Sequence, residues 1–159
     1  MPRTADLQLE RFLPYRLSVL SNTISSAIAT DYSRRFGLSI PQWRVLAVLA
    51  DTPNLTAAQI STRTAMDKVA VSRAVASLLA RSAIVRSPVA SDRRKAHLQL
   101  SAAGTSMYAE VVPVARQYER NLLDGMTSND RAAFERILSL LLSRATELGP
   151  AQANLHTVD

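Results

Sequence analysis

Eight basic residues fall between Thr56 and Leu100: Arg63, Lys68, Arg73, Arg81, Arg86, Arg93, Arg94 and Lys95. Only Asp67 and Asp92 oppose them in that stretch. The surplus of six equals the net charge of the whole 159-residue chain, so the rest of the chain is electrically balanced. A neutral body carrying one basic module is the footprint of a polyanion binder. Arginine supplies seventeen of the nineteen cations. Its planar fork suits phosphates and base edges, although a GC-rich genome gives the same bias.

Other chemistries find no matching residues. Cysteine is absent, which removes disulfides, thiol redox sensing and thiolate metal sites. His97 and His156 lie far apart, with no ligands at metal spacing beside them. There is no Gly-rich phosphate loop and no nucleophile elbow, and nothing groups Ser, His and Asp. No catalytic residue, metal or cofactor is therefore assigned, and the chain reads as a non-enzyme.

The basic residues need a scaffold, and the apolar spacing describes one. Residues 9–36 read as one long helix through Leu13, Leu17, Leu20, Ile24, Ala27 or Ile28, and Tyr32. Pro14 sits near its start, and Gly37 ends it. Ser39 caps a second helix with Pro41 in its first turn, running to Leu49. Thr56 caps a short helix over Ala57 to Thr62, buried through Ile60, and a tight turn follows around Thr64 to Met66. Asp67 caps the next helix, Lys68 to Arg81, whose apolar positions are Val71, Val75 and Leu78. Two short helices one turn apart, the second opening with small and basic residues, form a helix-turn-helix pattern.

Two strand-like runs come next, Ala83 to Ser87 and Lys95 to Leu100, joined by Pro88 to Arg94 in a basic hairpin. Ser101 caps a helix to about Asp124 with a kink expected at Pro113. Gly125 ends it. Thr127 and Asp130 resemble a capping box for a last helix carrying Phe134, Ile137, Leu138, Leu141 and Leu142. Gly149 and Pro150 stop that helix, and the tail from Ala151 is expected to fray. No apolar run approaches the roughly 18 residues of a membrane span, and Met1 to Glu10 holds no secretory signal. A cytoplasmic protein with no membrane association is expected.

The stretch "LTAAQISTRTAMDKVAVSRAVASLL" followed by "IVRSPVASDRRKAHLQLSAAG" resembles the MarR (multiple-antibiotic-resistance regulator) family of winged helix-turn-helix transcription factors. Five family features stand in order: Leu55-Thr56, Asp67-Lys68, Val71-Ser72-Arg73, Asp92-Arg93-Arg94, and Leu100-Ser101 to Gly104. Ser82 replaces the glycine that usually ends the recognition helix, and Ala83 replaces the large apolar residue that usually follows. Serine enters left-handed backbone less easily than glycine, so a slightly different helix exit is expected. The resemblance implies a mainly α fold with a small β-hairpin wing. A winged helix-turn-helix lobe, residues 38–100, would sit in an all-helical dimerisation frame built from residues 9–36 and 102–148.

What the resemblance implies about function is a homodimeric, sequence-specific regulator. It would be a repressor released by a small aromatic or phenolic effector. The recognition helix would enter the major groove of a pseudo-palindromic double-stranded operator, and a wing arginine the minor groove. The DNA-binding candidates are Thr56, Lys68, Ala70, Ser72, Arg73, Arg86, Asp92, Arg93 and Arg94. Ser72 can bond to a phosphate or base edge, and Ala70 can touch a thymine methyl. Arg94 is the residue expected to insert into the minor groove, with Asp92 positioning it. Thr56 is first a helix cap, whose amide end is also suited to a phosphate.

For the effector, Arg16 is the candidate carboxylate anchor, being a charge on the apolar face of the first helix. Tyr15, Trp43, Arg44 and Tyr108 complete the set, although Trp43 reads first as a core anchor. The runs "FLPYRLSVLSNTISSAIA" and "LSIPQWRVLAVL" are similar to the subgroup that senses hydroxycinnamate-type acids or their coenzyme A thioesters. The rival reading is a nonspecific architectural DNA-binding protein, which would bind steeply with salt and without sequence preference.

Overall fold

The computed structural model describes residues 7–89 and 92–149, with the side chains of 89 and 92–95 outside the described set. The elements in order are α1 (Leu13–Phe36), α2 (Ile40–Asp51), α3 (Ala57–Thr64), α4 (Lys68–Ala80), β1 (Ile84–Val89), β2 (Asp92–Leu100), α5 (Ala102–Leu122) and α6 (Ser128–Leu148). The chain divides into two units, residues 1–118 and 119–159. Among the described residues, six α-helices and one antiparallel hairpin match the fold class that the sequence implies. Among the described residues no helix is long and apolar enough to cross a membrane.

In the first unit, α2, α3 and α4 pack on one another, with β2 against α2 and α3. Val45, Leu46, Ile60, Val71, Leu78 and Ile84 are fully buried between them. Each helix starts on a side-chain cap. Ser39 and Gln42 form a capping box on α2, and Thr56 and Gln59 form one on α3. The Asp67 carboxylate takes the Ala70 N–H at 2.8 Å. Such caps satisfy amides that have no partner within the helix and stabilise by about 1 kcal/mol each. Between α3 and α4, Ala65 turns left-handed at φ 52°. The Ser61 hydroxyl holds that turn by donating to the Met66 carbonyl at 2.6 Å.

Three sequence expectations are corrected. The first helix is not continuous from Leu9: a 3-10 turn covers Leu9–Arg11, and α1 begins at Leu13. Pro14 lacks an N–H and its ring clashes with the carbonyl four residues back, so the helix cannot extend through it. The wing strands are longer than expected, reaching Val89 and starting at Asp92, with a register irregularity between Pro88 and Val89. In a two-stranded hairpin both strands are edges, and an edge tolerates proline.

The third correction concerns the exit of α4. Ser82 does adopt the left-handed conformation, at φ 54°. The Ala83 N–H reaches the Leu78 carbonyl and the Ser82 N–H the Leu79 carbonyl, both at 2.9 Å. These two bonds are those of a Schellman cap. Serine therefore stands where glycine would, at a cost of about 1–2 kcal/mol in backbone strain.

The bonds around Ser82 and Ala83 continue into α5. Ser101 donates its amide to the Ala83 carbonyl at 3.0 Å and its hydroxyl to the Ser82 carbonyl at 2.6 Å. The same hydroxyl accepts the Gly104 N–H at 3.0 Å, which caps α5. A Cβ at Gly104 would lie 1.9 Å from the Ala83 carbonyl oxygen. The end of α4, both ends of the wing and the start of α5 thus meet at one junction. Leu55 adds a bridge from the α3 entry to the wing, exchanging both backbone bonds with Leu98.

The second unit contains the end of α5, a turn with Gly125 at φ 82°, and α6. Thr127 and Asp130 form the expected capping box. The Thr127 hydroxyl donates to the Asp130 carboxylate at 2.6 Å and the Thr127 amide at 3.1 Å. These bonds, the hydroxyl's first, hold the Asp130 carboxyl below its ordinary pKa. Pro150 and the tail from Ala151 lie outside the described residues.

Two outcomes are expected. Gly104→Ala should lower stability by at least about 2 kcal/mol, because backbone rather than a flexible side chain must move. Gly37→Ala, at positive φ but with nothing within 4 Å, should cost only about 1 kcal/mol. Urea denaturation of the two variants checks this, and equal losses would contradict it. For Asp130 the folded pKa is depressed, so its contribution is present above the unfolded value and lost as pH falls through the folded one. The stability gap between the parent chain and Asp130→Asn should therefore be wider at pH 7 than at pH 2, and an unchanged gap would exclude the cap's charge as its source.

Candidate nucleic-acid interface

The core of the first unit takes Val71, Ala74 and Leu78 from α4. That choice turns the other side of the helix outward. Lys68, Val69, Ser72, Arg73 and Ala76 are all exposed. The opposite side is fixed by contacts: the Gln42 side chain donates to the Ser77 hydroxyl at 2.6 Å, and the Arg81 guanidinium donates to the carbonyls of Phe36 and Gly37. The α4 helix is thus tied to α2 and to the C-terminus of α1, where a cation is favoured by the helix dipole. Its outward face presents two cations, a hydroxyl and a valine on a rigid base.

The other expected DNA-binding residues stand as follows. Ala70 is half-buried, with its N–H given to Asp67, and it lines a groove with Ser39, Pro41 and Gln42. Thr56 is half-buried and its hydroxyl and amide are both engaged with Gln59. Arg86 is exposed on β1 opposite Leu98. The backbones of Asp92, Arg93 and Arg94 begin β2, and their side chains lie outside the described residues. Val69 was not among the sequence candidates. The signal that identifies it is positional: it falls outside the buried spacing of α4 yet is 59% exposed. Val75, expected in the core, is only half-buried, and Ala74 takes the buried place.

The effector candidates separate into two places. Trp43 is half-buried and stands between two tyrosines, its ring centroid 5.6 Å from both Tyr32 and Tyr108. The Tyr108 ring is stacked on it at 18° and the Tyr32 ring tilted at 30°. Burial pushes the Tyr32 phenol above its ordinary pKa, and the nearby Arg44 guanidinium pulls it down. Arg44 donates to the Ser25 hydroxyl at 3.2 Å. Tyr32 is thus a member of the aromatic ladder that the sequence reading gave only as a helix core position. Tyr15 and Arg16 are exposed in the first turns of α1. At 1.5 Å per residue, Arg16 stands about 24 Å along the helix from Tyr32, so one chain does not bring it to the ladder.

Comparison with known proteins agrees with this geometry. Residues 36–95 match the model of the MarR family. The HTH-type transcriptional repressor NicR of Pseudomonas putida is 26% identical over 108 residues, covering 68% of each chain. A MarR family transcriptional regulator from Silicibacter pomeroyi superposes with a TM-score of 0.75 at 22% identity, over 98% of this chain and 99% of that one. BpsR of Bordetella bronchiseptica, whose DNA binding is regulated by 6-hydroxynicotinic acid, superposes with a TM-score of 0.66 at 23% identity, over 80% of this chain and 98% of its own. The basic lobe thus matches the MarR family of winged helix-turn-helix transcriptional regulators in sequence, and the fold is that of a MarR family regulator over nearly the whole chain.

Proposed function

We propose that this protein is a MarR-family regulator, a cytoplasmic, homodimeric repressor that reads a pseudo-palindromic operator and is released by a small aromatic acid. The observation that carries the DNA-reading part is the outward face of α4. Lys68, Ser72 and Arg73 are exposed together on a capped helix fixed to its neighbours. Residues 38–100 form the reading lobe, which takes Arg86 to the backbone and, of the wing-tip pair Arg93 and Arg94, Arg94 to the minor groove. A narrow groove concentrates negative potential and attracts arginine.

Residues 9–36 and 102–148 form the dimer frame. The support is apolar surface left bare on single helices: Leu13, Leu17 and Leu20 on α1, and Phe134, Ile137 and Leu138 on α6. Such stripes call for a partner. Repression follows the function of NicR. The effector part rests on the Tyr32–Trp43–Tyr108 ladder with Arg44 beside it, where an aromatic ring and a carboxylate each find a match. BpsR responds to an acid of that class. Arg16 and Tyr15 join the site only if a second copy brings them there. By linkage the acid must prefer a dimer whose reading heads do not fit B-DNA.

The decisive experiment is selection from random-sequence duplex DNA at near-physiological salt. A two-fold-symmetric consensus is expected, and binding without enrichment would favour the architectural alternative. On the selected duplex, Lys68→Ala should reduce the slope of log affinity against log salt by about one, the release expected for one phosphate. Arg94→Ala should weaken binding by about 1–3 kcal/mol; unchanged affinity would remove the wing from the mechanism. Trp43 is the single tryptophan, so its fluorescence reports the ladder. Addition of 6-hydroxynicotinic or 4-hydroxycinnamic acid should quench it and release DNA, with Arg44→Ala weakening the response about tenfold. Release of DNA with no change in Trp43 would move the effector site elsewhere.

A further inference from the structure

Val69 stands at the apex of the α4 outward face. With about 100° per residue, the buried Val71, Ala74 and Leu78 lie at about 200°, 140° and 180° from it. Val69 therefore points directly away from the core. Arg73 is about 40° to one side and Ser72 about 60° to the other. No other side chain in the first two turns extends so squarely outward.

Its chemistry is unusual for that place. Val69 is 59% exposed, the most exposed large hydrophobic residue of the lobe among those described. Valine in a helix has one dominant χ1 rotamer, so its two methyls are held in a fixed direction with little entropy to lose. Neighbouring Lys68, Ser72 and Arg73 are all polar and exposed, so the valine forms no apolar patch able to dock a protein surface. In the major groove the apolar feature a base edge offers is the 5-methyl of thymine.

We infer that Val69 is a specificity-determining residue that reads a thymine methyl in each half-site. The role given to Ala70 in the sequence reading passes to its neighbour, because Ala70 is half-buried and turned about 100° toward the groove beside α2. The inference rests on the DNA-reading function proposed above. It adds to that reading the base and the atom that this side chain contacts.

The test uses the purified full-length chain and the duplex it selects from random DNA. Each thymine of one half-site is replaced in turn by deoxyuridine, which removes only the methyl group. At one thymine the parent chain should lose about fourfold in affinity, the value of one buried aliphatic carbon. In Val69→Ala that replacement should cost less than twofold. Fold loss does not confuse the result, because Val69 is largely exposed and alanine is the better helix former; matched thermal melts check this. A selected site in which no methyl matters, or a methyl whose loss costs Val69→Ala as much as the parent, would overturn the assignment alone. Failure to enrich any sequence would overturn it together with the DNA-reading function.

Discussion

The carbonyl of Ala83 is the point on which the lobe depends. It accepts the Ser101 amide, and it lies so close to α5 that residue 104 has no room for a Cβ. One residue earlier, at Ser82, the exit of α4 turns left-handed, and the Ser101 hydroxyl donates to the Ser82 carbonyl. Four segments converge there: the end of α4, the start of β1, the end of β2 and the start of α5. A shift at any one of them is felt by the other three, because backbone atoms and the short Ser101 hydroxyl, not long adaptable side chains, make the contacts. The helix α4 and the described strands of the wing are therefore fixed to each other at this junction, which suits the direct readout of base edges proposed for them.

This junction explains what the family-like sequence features do physically. Leu100 and Ser101 to Gly104 is a helix cap that also binds the neighbouring turn, with glycine as the residue that lets the backbones meet. Asp67 is an N-cap. Leu55-Thr56 is a strand bridge followed by a capping box. Only part of Val71-Ser72-Arg73 faces outward, since Val71 belongs to the core. Features that look like a DNA-binding signature are thus largely folding instructions. The residues left over for the proposed DNA contacts are fewer and lie on one face of α4 and on the wing.

Most of this architecture was legible in the sequence because it is local. Caps at Ser39, Thr56, Asp67 and Thr127 follow from residue type and spacing, and the helices from apolar periodicity. The start of α1 was misplaced because the backbone effect of Pro14 outweighed the periodicity around it. The wing was drawn too short because alternation fades at Pro88, where edge pairing continues regardless. Ser82 was expected to alter the helix exit, but the Schellman bonds and Ser101 hold it left-handed. Val69 and the Tyr32–Trp43–Tyr108 ladder were hidden for a different reason. One depends on which side of α4 the core selects, the other on three helices meeting. Neither is a property of any single segment.

The central claim is that two such heads, related by a two-fold axis, read one operator. Hydroxyl-radical footprinting of the purified chain on its selected duplex tests it most directly. The account predicts two symmetric protected patches about 34 Å apart, one turn of B-DNA, each flanked by minor-groove protection from the wing. A single patch, or uniform protection along the duplex with no symmetry, would contradict it.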